Sequence, residues 1–186
     1  MKFIPFNKDF FERDPKIVAI KLLGNFLVRR IKENFLISKI VETEAYYGYN
    51  DPASRAYKGI KKYNRAMIME PGIAFIYMVH SNWLLNVVAH PKNEIGAVLI
   101  RSVEPLNFNA NTRGPGRITK ALKIDKRFNE KSLLNTKSSL FLALNEKKEK
   151  FEICSSKRIG VKKDLEEDLR LFIKGNPFVS KLKSND

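Results

Sequence analysis

The sequence is nearly free of cysteine and histidine. Its 186 residues include one cysteine, Cys154, and two histidines, His80 and His90. A single cysteine cannot form a disulfide within the chain, and structural zinc sites need four Cys or His ligands. We therefore expect neither a structural nor a catalytic metal, and no other cofactor.

Long apolar runs are also missing. No stretch approaches the roughly 20 apolar residues that span a bilayer, and residues 1–6 lack the apolar core of a signal peptide. There is no Gly/Ser-rich or Pro-rich linker and no internal repeat. These absences predict a cytoplasmic protein with one domain over residues 1–186, frayed at residues 1–8 and 181–186.

Acidic residues are scarce relative to basic ones. The chain has 35 Lys and Arg against 20 Asp and Glu, which gives a formal net charge of +15 at pH 7. Such an excess predicts a polyanionic partner. Nucleic acid is the first candidate, and an anionic membrane surface is the second.

The stretch from Phe35 to Tyr47 combines strand-forming residues with acidic ones. Because side chains alternate between the two faces of a strand, Glu42, Glu44 and Tyr46 share one face near its end. Neighbouring carboxylates raise one pKa, whereas nearby cations lower it. In a chain this basic we expect the cations to dominate, leaving at least one glutamate ionised and able to act as a base. The alternative is a solvated strand edge with two ordinary glutamates.

Two later segments have the composition of a nucleic-acid surface. Residues 48–66 mix basic side chains with Tyr49, Tyr57 and Tyr63, as in surfaces that neutralise phosphates and stack on bases. A plain solvated loop is the alternative. The turn at residues 113–117 precedes a short helix, whose free N–H groups and basic neighbours can bind a phosphate.

Strand signals outnumber helix signals along the chain. Asp14 followed by Pro15 predicts a helix that ends at Gly24, and a tight turn is predicted at Lys32-Glu33. The pattern predicts an α+β fold, a single compact domain with a curved antiparallel or mixed β-sheet and a few short helices. The predicted strands cover residues 25–31, 34–47, 73–79, 84–89, 95–103, 139–143, 151–161 and 168–174.

Several short blocks, taken in order, resemble the alkyladenine (3-methyladenine) DNA glycosylase family over about residues 9–180. Each block is weak alone, but the ordered set is specific. The blocks are Leu22-Leu23-Gly24, Ile40-Val41-Glu42-Thr43-Glu44-Ala45-Tyr46, Asp51-Pro52-Ala53-Ser54, Asn64-Arg65 before Pro71-Gly72, Leu85-Asn86-Val87-Val88, Val98-Leu99-Ile100-Arg101 before Glu104-Pro105, Gly114-Pro115-Gly116, and Gly175-Asn176-Pro177 before Val179-Ser180.

The resemblance implies a DNA repair enzyme that flips a damaged purine nucleotide out of duplex DNA and hydrolyses its N-glycosidic bond, leaving an abasic site. It implies that Glu44 is the general base, and that Tyr46 and Tyr77 pack on the flipped base. Arg101 would help to place the water or the sugar-phosphate, and Asn86 would shape the pocket against a purine amino group. No lysine nucleophile is indicated, so the resemblance implies a monofunctional hydrolase without lyase activity.

Each of these residues also has an ordinary structural interpretation. Tyr77 in an apolar strand is a core residue by default. Arg101 at a strand end can be solvated or paired with a neighbour such as Glu104. Tyr46 can be a half-buried strand aromatic.

The sequence departs from the family pattern at two positions. Arg55 stands where members usually carry a histidine, and we expect it to contact a phosphate or the base. His80 stands where members carry the tyrosine that wedges into the duplex, and this block is one residue shorter. His80 can fill the gap left by the flipped base or can cap the strand end. The residues predicted to bind phosphate are Gly116, Arg117, Lys120 and Arg65.

Three functions are compared. The first is a glycosylase that acts as a monomer on double-stranded DNA and releases 3-methyladenine, 7-methylguanine and other purine lesions. The second is a non-catalytic protein that binds damaged DNA or other nucleic acid on the same fold. The third, a nuclease, is disfavoured because the chain lacks a cluster of carboxylates or histidines to hold metal ions.

Overall fold

The structure is built on one antiparallel sheet of nine strands. The computed structural model describes residues 2–147 and 149–180. The strands are β1 Ile4–Pro5, β2 Phe26–Ile31, β3 Asn34–Tyr46, β4 Ala74–Val79, β5 Asn82–Val88, β6 Ala97–Pro105, β7 Leu140–Leu144, β8 Ile153–Ser156 and β9 Arg170–Ile173. Seven of them follow the order β1-β7-β2-β3-β6-β5-β4. Beyond the end of β2, β9 pairs with β3, and β8 pairs with β9.

The predicted α+β class is confirmed, as one compact domain with a curled, half-barrel sheet. All pairings within the described residues are antiparallel, so the sheet is not mixed. The prediction left both forms open because composition does not distinguish them. Short connections account for the β2–β3, β4–β5 and β5–β6 pairs, since parallel neighbours need longer crossovers. The β3–β6, β2–β7 and β3–β9 pairs form across long segments and are antiparallel too.

Strand β3 is the central element of the sheet. It forms the predicted hairpin with β2 through a two-residue turn, in which Lys32 has a left-handed φ of 53°. Its second half pairs with β6 on one side and β9 on the other, so that Glu42, Thr43 and Glu44 lie deep in the sheet. This half is therefore not the solvated strand edge that was the alternative interpretation.

Two short helices cover the sheet. Helix α1, Pro15–Leu22, begins as predicted at Asp14, whose Oδ1 accepts hydrogen bonds from the Lys16 and Ile17 N–H groups. Its apolar face packs on β3 and β6 in the main core. Helix α2, Pro115–Ala121, packs on β5 and β6 and begins earlier than its predicted start at residue 118.

Part of the amino-terminal segment, which was expected to fray over residues 1–8, pairs with the sheet. Ile4 and Pro5 pair with Ala143 and Leu144 of β7, and the Phe6 side chain is buried. Apolar side chains account for this docking, since they gain free energy on burial. The expected frayed segment 181–186 lies outside the described residues.

The basic, tyrosine-rich segment 48–66 is folded against a second core cluster. Ala56, Ala66 and Met67 are fully buried there against Phe75 of β4. Asn64 fixes the loop, because its Nδ2 donates to the Arg55 carbonyl at 2.7 Å. The loop backbone is therefore held in place while its basic side chains and tyrosines stay at the surface.

The two closing strands are shorter than predicted. The segment predicted as a strand over residues 151–161 forms β8 only as far as Ser156, and the chain then turns away from the sheet. Gly160 in this turn has a left-handed φ of 77°, which a regular strand does not permit. Among the described residues no helix is long and apolar enough to cross a membrane.

Candidate active site

The end of β3 brings two carboxylates and a phenol together, as the alternation predicted. The side chains of Glu42 and Glu44 are both completely buried. The Tyr46 hydroxyl donates a hydrogen bond of 2.8 Å to Glu44 Oε2. Burial, and then the neighbouring Glu44 carboxylate, raise the pKa of Tyr46 well above its ordinary value. Tyr46 therefore stays protonated and donates a hydrogen bond to Glu44 without transferring its proton.

Arg101 of β6 lies between the two carboxylates because of an irregularity in the sheet. Opposite β3, the register of β6 jumps from Ser102 to Ile100, which leaves Arg101 without a strand partner, as in a β-bulge. Its Nε lies 3.2 Å from Glu42 Oε1 and 3.3 Å from Glu44 Oε1. Nε is nevertheless in no directional hydrogen bond, because the angles are poor. Arg101 is thus an ion-pair partner of both glutamates.

Arg101 does not pair with Glu104, the alternative partner considered from the sequence. Glu104 is instead held by Lys39 Nζ at 3.0 Å and by the Asn176 amide at 2.9 Å. Within the described part of the chain, Arg101 donates no hydrogen bond from its terminal nitrogens, and its side chain lines a cavity. Those nitrogens are therefore available to a bound molecule.

Glu44 receives a third contact from a distant segment. The Ile159 N–H donates to Glu44 Oε1 at 2.8 Å. Burial raises the pKa of Glu44, while Arg101, the Ile159 N–H and the Tyr46 hydroxyl oppose that rise. The expectation that cations dominate is wrong for Glu44, because the desolvation of a fully buried carboxyl outweighs the attraction of one guanidinium. A raised pKa makes this carboxylate a stronger base whenever it is ionised.

Glu42 occupies a different environment from Glu44. Its Oε1 accepts a 2.6 Å hydrogen bond from Arg170 Nε of β9, and its Oε2 accepts from the Ser180 N–H at 2.7 Å. Both of its oxygens are used within the protein. Of the two carboxylates, Glu44 is the one that is bonded to Tyr46 and Ile159, two residues that line the cavity.

A cavity of about 940 Å³ opens beside these residues. It is large enough for a nucleobase and its sugar, since small-molecule sites commonly measure about 300–1,000 Å³. Six of the residues predicted for the site line it together. They are Tyr46, Arg55, Tyr77, His80, Arg101 and Gly116.

Tyr77 and Arg55 form a stacked pair in this cavity. The Arg55 guanidinium carbon lies 4.6 Å from the centroid of the Tyr77 ring, within cation–π range. Burial raises the pKa of Tyr77, and Arg55 opposes that rise. Tyr77 is partly buried, and it also packs on Phe75 with ring centroids 5.0 Å apart. Tyr77 thus packs against the core and also lines the cavity.

His80 lies at the tip of the hairpin that joins β4 to β5. His80 and Ser81 have φ values of 45° and 60°, and they connect the paired residues Val79 and Asn82. Two successive left-handed residues between paired strands are the pattern of a type I′ turn. The tip is exposed. The block is short because the turn has only two residues.

Five predicted site residues do not line the cavity. One is Glu44, which is completely buried directly behind the lining residues Tyr46 and Arg101. Asn86 is buried behind the cavity, and its Nδ2 donates to the Phe75 carbonyl at 3.0 Å. Arg65 forms a bidentate ion pair with Glu130, with nitrogen–oxygen distances of 2.9 and 2.7 Å. Arg117 and Lys120 lie on the exposed face of α2. Gly116 of the same helix lines the cavity because it packs directly on Asn82.

Sequence reasoning missed the segment 157–164, which forms one wall of the cavity. Ile159, Gly160, Val161, Lys162 and Lys163 all line it. Residues 157–161 were predicted as the end of the strand over residues 151–161. Gly160 next to two lysines was the available signal for a loop.

Arg158 in this segment is the most enclosed cation near the site. Its terminal nitrogens donate to Asp51 at 2.6 and 2.7 Å and to the Ala45 carbonyl at 2.9 Å. Its Nε and backbone N–H donate to Asp164 at 2.9 and 3.0 Å. The guanidinium carbon also lies 4.5 Å from the centroid of the Tyr46 ring. No local pattern in the sequence predicts these contacts, because Arg158 and Asp51 are 107 residues apart.

The cavity mouth is basic. Besides Arg55 and Arg101, its lining includes Lys58, Lys162 and Lys163, and none of the described residues that line it is Asp or Glu. Such a surface attracts a polyanion. No group of three His, Cys, Asp or Glu side chains in the described part of the chain is placed to hold a metal ion.

Residues 9–177 match the family model described as Methylpurine-DNA glycosylase (MPG). A protein of Aeropyrum pernix is 44% identical over 178 residues, which cover 94% of this chain and 92% of that protein. One from Borrelia garinii is 41% identical, with 92% and 97% covered, and one from Legionella pneumophila is 37% identical, with 94% and 97% covered. All three are provisionally named 3-methyladenine DNA glycosylase.

Proposed function

The chain belongs to the methylpurine-DNA glycosylase family, and from this premise we propose that it removes alkylated purine bases from duplex DNA by hydrolysing the N-glycosidic bond. The product is an abasic site in an intact strand. The observation that carries the proposal is the buried Glu44 carboxylate, held by Tyr46, Arg101 and the Ile159 N–H beside a basic cavity.

Glu44 is the general base of this reaction. Its carboxylate takes a proton from the water that attacks the anomeric carbon, and a positioned base of this kind contributes about 10²–10⁴ in rate. Arg101 holds Glu44 through Nε, and its terminal nitrogens orient the water or the sugar-phosphate. An N-methylated purine is already positively charged and leaves readily, so no general acid is needed for 3-methyladenine or 7-methylguanine.

The base enters the cavity by leaving the duplex stack. Extrusion costs a few kcal/mol, and least for a damaged, poorly paired base. Stacking on Tyr46 and Tyr77, at about 1–3 kcal/mol per base, offsets that cost. His80, at the tip of the exposed hairpin, fills the gap in the duplex. Asn86 acts on the pocket only indirectly, through the strands that it joins.

Phosphate contacts come from the basic rim. Gly116 lines the cavity, and Arg117 and Lys120 project from the same helix. Arg65 reaches a phosphate only by exchanging its Glu130 partner, and we rank it last among the predicted contacts. The formal charge of +15 supports a cytoplasmic protein that binds double-stranded DNA, and the simplest arrangement is a monomer.

The experiment that tests the proposal is release of free base from methylated duplex DNA by the wild-type protein and by Glu44→Gln. We expect the wild type to release 3-methyladenine, and the variant to bind duplex normally but release at least about 100-fold less. Equal release by both proteins would remove Glu44 from its role. A covalent protein–DNA adduct trapped by borohydride would contradict the hydrolytic, monofunctional route.

The second candidate function, a non-catalytic binder, is favoured by two residues that depart from the family pattern, Arg55 and His80. Such a protein binds damaged and undamaged duplex alike and releases no base. Tighter binding to a duplex that carries an abasic-site analogue would argue against it. Absence of release together with equal affinities would establish it.

A further inference from the structure

Arg158 connects three parts of the candidate site through a single guanidinium. It bonds Asp51 of the loop after β3, Asp164 of its own segment and the Ala45 carbonyl of β3. The same group stacks on the Tyr46 ring. From this arrangement we infer that Arg158 is a positioning residue, which fixes Tyr46 and the Ile159 N–H on Glu44, an inference that rests on the proposed base release.

The effect on Tyr46 is direct. The Arg158 side chain is completely buried, so its guanidinium supports the ring from inside the protein. Tyr46 also lines the cavity, so the ring lies between a protein cation and the space for a base. A planar guanidinium held by two carboxylates has almost no freedom to move. The ring is therefore held in one orientation before any base arrives.

The effect on Glu44 passes through the backbone. Ile159 follows Arg158 directly, and its N–H is the contact from this segment to Glu44 Oε1. Asp164 accepts hydrogen bonds from both the backbone N–H and the Nε of Arg158, which closes the segment into a loop. Moving the Arg158 backbone therefore moves the N–H away from Glu44.

Three other groups that face Glu44 make no contact with Arg158. They are Arg101 on β6, Tyr77 on β4 and Glu42 on its own strand. Arg170 on β9 bonds Glu42 and not Glu44. Since Arg101 and the strands remain in place, the specific change at Glu44 when Arg158 is replaced is loss of the Ile159 N–H, together with a less well fixed Tyr46 hydroxyl.

The test is Arg158→Met, read out by the titration of Glu44. Loss of an N–H hydrogen bond to a carboxylate disfavours the charged form, so the Glu44 midpoint should rise by about one pH unit. It can be followed by carbon-13 NMR of labelled glutamate carboxyls, with Glu44→Gln as the assignment control. In the pH–rate profile of single-turnover base release, the acid limb should shift to higher pH by the same amount as the Glu44 midpoint. The maximal rate should fall about 100-fold, with little change in half-saturating duplex concentration.

Arg29→Met is the matched control. Arg29 is also partly buried, stacks on an aromatic ring with its guanidinium carbon 4.7 Å from the Phe128 centroid, and donates to the Leu122 and Ser139 carbonyls. It lies outside the cavity lining. Its replacement should lower thermal stability and leave the Glu44 midpoint and the acid limb unchanged. A structural role alone predicts the same behaviour for Arg158→Met.

The outcomes separate cleanly. A folded Arg158→Met protein with an unchanged Glu44 midpoint overturns the inference. If that variant does not fold, Asp164→Asn decides, because it loosens the loop and leaves the Asp51 pair; a smaller shift in the same direction supports the inference, and no shift overturns it. If the wild type releases no base, the proposed function fails, while the NMR titration still decides the role of Arg158.

Discussion

At the scale of single residues, the environment of Glu44 combines an unfavourable term with three favourable ones. The carboxyl is removed from water completely, yet it receives two hydrogen bonds and one ion pair. Burial nevertheless raises its pKa. Such a group is costly to the fold and useful to a reaction, as is common for residues in functional sites.

Glu44→Gln is expected to stabilise the protein increasingly as pH rises. The folded-state pKa of Glu44 lies above that of the unfolded chain, so its stabilising contribution is complete below about pH 4 and is lost as pH rises through the folded pKa. Glutamine cannot ionise. Its Oε1 can accept from the Ile159 N–H, and its Nε2 can donate to the Tyr46 hydroxyl, which reverses the direction of that hydrogen bond. Urea unfolding at pH 5 and pH 8 should show the variant gaining about 0.5–2 kcal/mol relative to wild type at the higher pH.

Glu130→Gln provides a control of opposite sign. The exposed Arg65 holds the pKa of Glu130 below its usual value, so this carboxylate stabilises the fold above the unfolded pKa. The Glu130→Gln variant should therefore become less stable than the wild type as pH rises through the acid range. A parallel pH trend in both variants would contradict the assignment for Glu44.

Arg55 is expected to influence which bases are released. A base that stacks on Tyr77 shares the ring with the Arg55 guanidinium, and a cationic base is repelled by it. Repulsion of about 1–2 kcal/mol corresponds to about a tenfold change in rate. Arg55→Gln should therefore raise release of 7-methylguanine, relative to neutral ethenoadenine, about tenfold.

Lys58→Gln is the control for Arg55, because it removes an equal charge from the same cavity without contacting Tyr77. The ratio of the two release rates should stay near the wild-type value. A shift of the ratio in both variants would mean that overall charge, and not the stacked guanidinium, sets the preference.

Site residues that lie close together in sequence could be predicted to form one group, whereas residues with distant partners could not. Glu42, Glu44 and Tyr46 could be placed together because strand alternation is a local rule. Arg101 was placed by resemblance alone, since its position between the glutamates depends on a bulge that has no clear sequence signal. Arg158 could not be found, because its partners are set by the tertiary fold.

At the scale of secondary-structure elements, the hairpin β4–β5 and helix α2 determine the shape of the cavity rim. Gly116 in α2 has no room for a side chain, because a Cβ there would lie 2.8 Å from the Asn82 Cβ. The helix backbone thus packs directly on the Asn82 side chain, at the start of β5. The position of His80 depends on this contact as well as on its turn.

Gly116→Ala is expected to separate α2 from the hairpin. The added methyl group must displace Asn82 or the helix, and overpacking of this kind costs about 1–3 kcal/mol. Urea unfolding measures the loss. Lys120→Ala, on the exposed face of the same helix, should change stability by less than about 0.5 kcal/mol. Equal effects in the two variants would contradict the contact.

The sequence predicted most of the elements but not all of their ends. The Asp14-Pro15 cap and the Lys32-Glu33 turn are local signals, and both predictions are confirmed. β5 begins at Asn82, two residues before its predicted start, because the connecting turn is minimal. The segment after Ser156 was misassigned because its role is to contact Glu44 and Asp51, which local propensity does not encode.

At the scale of the whole molecule, the positive net charge is matched by a basic lining at the mouth of the cavity. The cavity mouth is lined by arginines and lysines, and the formal net charge is +15. The curled sheet places this basic rim around the end of β3. A polyanion drawn to the rim is therefore brought to the buried glutamates.

Duplex binding is expected to weaken steeply with salt. Each phosphate neutralised contributes a slope of about −0.9 in log K against log salt. Replacing both Lys162 and Lys163 with Gln should reduce the magnitude of that slope by about two. Replacing Lys21 and Lys174, which are exposed and away from the cavity, removes the same charge and should leave the slope nearly unchanged.

The order in which the chain is synthesised has a consequence for Glu42 and Glu44. The Ile159 N–H, Arg170 and Ser180 that contact them lie 115, 128 and 138 residues later in the chain. At about 5–20 residues per second on the ribosome, synthesis of these partners follows that of β3 by about 6–28 seconds. During that interval the carboxylates must stay hydrated, because a charge buried without partners is too costly. The site is therefore completed only after Ser180 has been synthesised, and a newborn chain that lacks β9 holds both glutamates in water.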